Sequence, residues 1–186
     1  MAAPFQSLQG KLLLDGGKLQ GSFFHRAVVF ICQHDTEGAF GLILNRSADS
    51  KVGDAVVANL PEAVKEQVLF IGGPVQSAAL SFLHSDIFVP HANVMANLNL
   101  GHSVETLMDL SESYSPTLKL RLFAGYSGWA AGQLEQEMAR HDWLVHPATL
   151  DLIFRPDPAE LWKEILRQKD VKLRWLADSP DNLSWN

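Results

Sequence analysis

An α+β fold is what this sequence predicts: a single compact domain with a mixed, largely antiparallel sheet and several short helices packed around it. Three observations lead there. At 186 residues and 47% hydrophobic, the chain can bury one sizeable core and is short for two. Several apolar segments alternate with period two, which gives each strand one buried and one wetter face and favours antiparallel or mixed pairing over an all-parallel sheet. Helical patterns are fewer and follow no steady strand–helix alternation. With no repeat, linker or low-complexity tract, residues 1–186 read as one domain, those after about 176 as a loose tail.

In chain order, "KLLL" (Lys11–Leu14) is a short strand ended by Gly16 and Gly17. "AVVFIC" (Ala27–Cys32) and "FGLILN" (Phe40–Asn45) are buried partners joined by the hairpin chemistry of "QHDTEGA". "VLFIGGPV" is a strand stopped by Gly72-Gly73-Pro74, and "LSFLH" and "VMANLNL" follow it as strands. In "TLKLRLFAG" the leucines 118, 120 and 122 alternate with Lys119, Arg121 and Phe123, placing the latter three on the wetter face. Helices are expected over Val104–Ser111 behind a Ser103 cap and in "QLEQEMARH" after Gly132, with Glu137 set to pair with His141. A further helix is expected in "DPAELWKEILRQK", where Asp157, Pro158 and Glu160 make a capping pattern ahead of the stripe Leu161, Trp162, Ile165 and Leu166. "VGDAVVANL" is a short fourth.

Composition removes several function classes. With 21 acidic and 15 basic residues the formal charge is -6, which disfavours binding to a phosphate backbone. The one basic stretch, residues 155–174, carries six basic groups against four acidic ones and is too diluted to form a DNA-binding stripe. One cysteine permits neither an intramolecular disulfide nor a cysteine-based zinc site. No apolar run approaches the roughly 20 residues of a membrane span, and the first residues lack secretory-signal character. The expectation is a soluble, cytoplasmic protein without cofactor or metal.

The stretch "FAGYSGWAAGQLEQEM" (Phe123–Met138) most resembles a site. A nucleophile elbow needs G-x-S-x-G, because both flanking positions must be small for the strained turn; Gly128 falls one place early and Trp129 occupies the glycine position. Phosphate-loop spacings are absent as well. What remains is a strand–turn–helix junction whose free N–H groups could face a ligand. Cys32 and His34, two apart on a strand, are expected to face the same way, so a thiol–imidazole pair is conceivable beside the plainer reading of Cys32 as a small buried hydrophobe. The histidines show no metal-ligand spacing, and "LHSD" (Leu83–Asp86) is a His–Asp pairing of a kind common by chance. Asn45 and the pair Gly72-Gly73 read as strand-end features that could border a pocket.

"FHRAVVFICQHDTEGAFGLILNR", "IGGPV", "FLH", "FAGYSGWAAGQLEQEM", "DWL" and "IFRPDPAELWKEIL" occur in that order. Together they resemble the AlgH/YqgE family of small bacterial proteins, also represented in plant plastids, over nearly the whole length from about Gly10 to Arg167. The resemblance implies a compact α+β domain of unusual topology and no established activity. The transcriptional-regulator label carried by the family comes from a genetic association with alginate production. The family pattern falls on Cys32, His34, Gly38, Gly41, Leu42, Asn45, Gly72, Gly73, Pro74 and His84. It continues on Gly125, Tyr126, Ser127, Gly128, Trp129, Gln133 and Glu135. This chain departs from it at Gln33, where the family has Glu, at Ala130-Ala131, often Gly-Pro, and at Asp15-Gly16-Gly17, where the family has a proline-containing segment.

Three readings follow. The first is a non-enzymatic binding or regulatory protein whose ligand- or partner-facing surface uses Cys32, His34, Asn45, Gly72, Gly73, Pro74, His84, Tyr126, Ser127, Gly128, Trp129 and Gln133, with an unknown small molecule or protein as partner. The second is an enzyme, thiol-dependent through Cys32 and His34 or hydrolytic through Ser127 with His34 or His84. The third is a transcriptional regulator acting on DNA directly or through a partner.

Overall fold

In the computed structural model, which describes residues 5–85, 92–112 and 119–180, the segment Leu120–Ala130 is one continuous strand of 11 residues. The glycine turn expected within it comes only at Ala131-Gly132, and the helix expected after Gly132 starts there, at Gln133. Nine strands and seven helices occur among the described residues. In chain order they are β1 (Lys11–Asp15), β2 (Val28–Asp35), β3 (Gly38–Ile43), β4 (Ser47–Lys51), α1 (Val52–Ala55), α2 (Glu62–Lys65), β5 (Val68–Ile71), β6 (Val75–His84) and β7 (Asn99–Gly101). There follow α3 (Val104–Glu112), β8 (Leu120–Ala130), α4 (Gln133–Ala139), β9 (Trp143–Pro147), α5 (Leu150–Ile153), α6 (Leu161–Arg167) and α7 (Val171–Asp178).

β8 belongs to two sub-sheets at once. Its C-terminal half pairs with β3, and that sub-sheet continues through β2 and β1 to β9. Its N-terminal half lies between β5, the one parallel neighbour among the described residues, and β6, with β4 and β7 outermost. Gly125 sits between the halves at φ +67, a left-handed conformation that a residue with a Cβ adopts only at a cost of about 1–2 kcal/mol. The α+β, mixed and mainly antiparallel architecture is therefore as expected.

Three apolar clusters hold these layers. One joins Phe30, Leu42 and Phe123 to Trp162 and Ile165 of α6. The second puts Val29, Ile31, Trp129 and Trp143 under Leu134 of α4. The third packs Phe82 and Leu122 against Leu107 and Leu110 of α3 and Val64 of α2. Each fully buried Leu or Phe side chain contributes roughly 1.5–3 kcal/mol relative to exposure. Because β8 is covered on both faces, its alternation does not divide dry from wet. Arg121 is only 6% exposed and Phe123 0%, where a wetter face was expected; Leu118 lies outside the described residues.

Other expectations are corrected in detail. β2 continues through His34 to Asp35, leaving Thr36-Glu37 as the hairpin turn. "VMANLNL" is a strand only from Asn99, since Asn97 at φ +59 and the Met95–Leu98 bridge make a turn of its first part. α6 starts at Leu161 with Glu160 as N-cap, one turn later than the capping pattern implied. Asp157 instead accepts the Ala159 N–H at 3.3 Å. The expected apolar stripe of α6 is buried. α7 runs to Asp178, capped by Asp170, and Arg26 donates to the Ser179 carbonyl at 2.6 Å, so the chain is docked past residue 176. No helix among the described residues is long and apolar enough to cross a membrane.

Candidate functional site

Six of the sequence-predicted residues, Gly72, Gly73, Pro74, Tyr126, Ser127 and Gly128, gather where β5 ends, β6 begins and β8 runs alongside. Gly72 and Gly73 are there because nothing larger fits: a Cβ on Gly72 would stand 2.3 Å from the Gly125 carbonyl oxygen, and one on Gly73 would stand 2.2 Å from the Tyr126 carbonyl carbon. Ser127 on β8 is 0% exposed and its hydroxyl donates to the Gly72 carbonyl at 3.0 Å. Pro74 follows at the surface, and Tyr126, opposite Val75 of β6, is half-buried. The Tyr126 ring stacks on Phe40 of β3 at 4.9 Å, and His102 meets Phe40 edge-on at 5.5 Å. The His102 Nδ1 is 3.0 Å from the Ser81 hydroxyl. Gly128, exposed and across from Phe40, leaves this ridge open. Phe40, Ser81 and His102 were not singled out in the sequence, because only the pairing of β3 and β8 and the return past β7 bring them here. Behind the crossing, Ser77–Leu80 of β6, Ala124 and Ala55–Val57 border an apolar cleft of about 300 Å³.

The other candidates are placed apart. A bulge between Ile31 and Gln33 interrupts the β2–β3 register, and a single extra residue turns the following side chains to the opposite face. Cys32 therefore packs with Phe30 and Leu42, whereas His34 packs on the other side with α4 and the N-terminal segment. The pair expected to face the same way does not. Burial also pushes the Cys32 thiol well above its ordinary pKa, which opposes formation of the nucleophilic thiolate.

His34 is fully engaged. Its Nδ1 accepts the Leu8 N–H at 2.9 Å, so the ring hydrogen sits on Nε2, 2.9 Å from Glu135 Oε1. Ser7 donates to its carbonyl at 2.7 Å, and Phe5 lies edge-on at 5.0 Å. Thus α4 supplies a carboxylate to this histidine even though Gln33 stands where a glutamate was expected. Gln133 accepts the Ala130 N–H at 3.1 Å and closes the turn into α4. Glu137 does not pair with His141: it accepts the indole N–H groups of Trp129 and Trp143, each at 2.8 Å. Asn45 bridges Arg26 and Val28 through its amide, accepting at 2.8 Å and donating at 2.9 Å. His84, 3% exposed, sits opposite Leu120 at the far end of β8, seven residues and about 23 Å along the strand from Ser127. Asp86 lies outside the described residues. Among those described, no group of three or more His, Cys, Asp or Glu side chains could hold a metal ion.

The comparison with known proteins bears on this arrangement. An AlgH-like family model matches residues 12–174, which includes every candidate residue above. The chain belongs to the AlgH-like family. It is 37% identical over 185 residues to a UPF0301 protein of Chlorobium phaeobacteroides, covering 97% of both chains. It is 32% identical over 190 residues to a UPF0301 protein of Chlamydia pneumoniae, covering 100% of both. Its fold is similar to the solution structure of AlgH from Pseudomonas aeruginosa, with a TM-score of 0.73 at 24% identity over 97% of this chain and 98% of that one. A crystal structure of a Corynebacterium diphtheriae protein is similar too, with a TM-score of 0.74 at 24% identity over 96% and 95%. None of these names states an activity, so membership fixes the fold of this AlgH-like protein and leaves its chemistry to the site.

Proposed function

We propose that this AlgH-like protein is a cytoplasmic binding protein that acts without covalent catalysis, facing a small molecule or protein partner with the ridge of Pro74, Tyr126, Gly128, Phe40 and His102. One observation carries the reading: both candidate nucleophiles, Cys32 and Ser127, are 0% exposed and held inside the fold. Catalysis needs a nucleophile within hydrogen-bond reach of its base. Here Ser127 donates to a backbone carbonyl, and both ring nitrogens of His34 are already bonded. By contrast the ridge offers stacked aromatic surface with little side-chain entropy left to lose on binding. The net charge of -6 argues against a phosphate backbone as the partner.

Labelling and retention together test this reading. In the folded protein, alkylation of Cys32 by iodoacetamide is expected to run at least about a thousandfold slower than in denaturant, because the thiol reacts only through opening. Fluorophosphonate should leave Ser127 unmodified. Native mass spectrometry of the purified protein should find a retained molecule or partner that Tyr126→Ser reduces and Cys32→Ala does not. Rapid labelling of either nucleophile in the folded state would return the site to an enzymatic reading.

A further inference from the structure

The start of β8, at the end away from the aromatic ridge, borders a second cleft of about 500 Å³ lined by Gln67, Lys119, Arg121, Asp151, Phe154 and Pro156. Arg121 is its unusual member. The side chain is 6% exposed, its guanidinium carbon lies 4.4 Å from the Phe70 ring centre, and Nη2 donates to the Arg155 carbonyl. Nη1 is buried and has no hydrogen-bond partner among the described residues.

Among the described residues, the nearby carboxylates are engaged elsewhere: Asp151 with Lys119 at 3.2 Å and Glu164 with Arg155 at 2.6 Å. Proteins place buried charges beside counter-ions, because an unpaired one forfeits its hydration without compensation. Burial does lower the Arg121 pKa, to about 10, but the group remains a cation at neutral pH. The ring of Phe70 offsets part of this through its quadrupole, and leaves the Nη1 donor unanswered.

We propose that this cleft binds a small organic carboxylate whose anionic group pairs with Arg121 and whose apolar body lies against Phe154 and Pro156. Charge selects the class. Lys119 and Asp151 cancel, leaving a single positive charge, which a monocarboxylate neutralises and a phosphate dianion overshoots. Size agrees, since the cleft is within the range of small-ligand sites and too large for a bare inorganic anion. The Lys119–Asp151 pair is the movable part: its side chains are 45% and 93% exposed, so the ammonium can swing from Asp151 to the incoming ligand. This site shares no residue with the ridge of Tyr126, and either can fail without the other.

The test is isothermal titration of the whole chain with benzoate and hexanoate, with benzamide and inorganic phosphate in parallel. Saturable binding of at least one carboxylate is expected, and benzamide, which has the same shape without the charge, should not bind. Arg121→Met should weaken the carboxylate at least tenfold, and Asp151→Asn, which frees Lys119, should tighten it several-fold. Should Arg121→Met fail to fold, Lys119→Gln takes its place and should weaken binding, while Asp151→Asn tightens it. No carboxylate binding up to about 10 mM, the weak end of specific recognition, overturns the proposal. So does equal binding of benzamide, a response to phosphate alone, or affinity indifferent to the substitutions at 119, 121 and 151.

Discussion

Gly73→Ala should destabilise this protein by at least about 4 kcal/mol, beyond what most single substitutions do, or prevent folding altogether. The added methyl would stand 2.2 Å from both the carbonyl carbon and oxygen of Tyr126 and 2.4 Å from the Ser127 nitrogen. These are backbone atoms of β8, not the flexible end of a side chain. Nor can β8 step aside: at this point it passes from its β6 pairing, Val75 opposite Tyr126, to its β3 pairing, Gly41 opposite Ser127. Moving it would disturb both sub-sheets and the bond from Ser127 to the Gly72 carbonyl. Gly132→Ala is the control. Gly132 has φ +74 but open space around its Cβ position, so only the left-handed backbone is penalised, at about 1–2 kcal/mol. Urea unfolding of the three proteins decides it. If Gly73→Ala is no worse than Gly132→Ala, the crossing of β5 and β8 is looser than these distances require.

The same crossing explains which parts of the fold were legible. Strands with clean apolar runs, such as Leu12–Leu14 and Val28–Ile31, are buried as expected, because local pattern and tertiary environment agree. The α6 stripe agrees in the same way. The glycines of β8 were misleading. Gly125 and Gly128 read as a turn, yet the first absorbs a left-handed kink between two sub-sheets and the second is extended backbone within a strand. A glycine required by a neighbouring backbone and one required by a turn look alike in sequence. β4, "SADSK", was missed because at the sheet edge beyond β5 its inward positions, Ala48 and Ser50, are only half-buried, so the sequence carries no apolar alternation there. The bulge at Cys32 has no local signature, and it decides that Cys32 and His34 part. Arg121 was misplaced because alternation cannot reveal that both faces of a strand are covered. The structure therefore brings together Gly72, Gly73, Pro74, Tyr126, Ser127 and Gly128 and parts Cys32, His34, Asn45 and His84 from them, because both outcomes depend on pairings between distant segments.

Glu137 shows what those pairings demand. β8 and β9 are the two edges of the sub-sheet β8-β3-β2-β1-β9, four strand spacings apart, which is about 19 Å in a flat sheet. Yet Trp129 of β8 and Trp143 of β9 have ring centres 6.2 Å apart, with Phe24 against both. The sheet must curl, and α4 spans its concave face with Leu134 turned inward. Glu137 on that helix accepts both indole N–H groups through one oxygen at 2.8 Å, and its other oxygen accepts from Gln133 at 3.0 Å. A single carboxylate therefore ties the helix to both edges. Glu137→Ala is expected to cost about 2–3 kcal/mol, from bonds to a charged acceptor worth roughly 1.5–3 kcal/mol each when buried and less at this partly exposed site. Glu137→Gln, which keeps the shape and one accepting oxygen, should cost about half as much. Tryptophan emission followed through urea unfolding reports the environment of these rings directly. If Glu137→Ala shifts the midpoint no more than the exposed control Glu105→Ala, the curl is held by ring packing alone and the carboxylate is incidental to it.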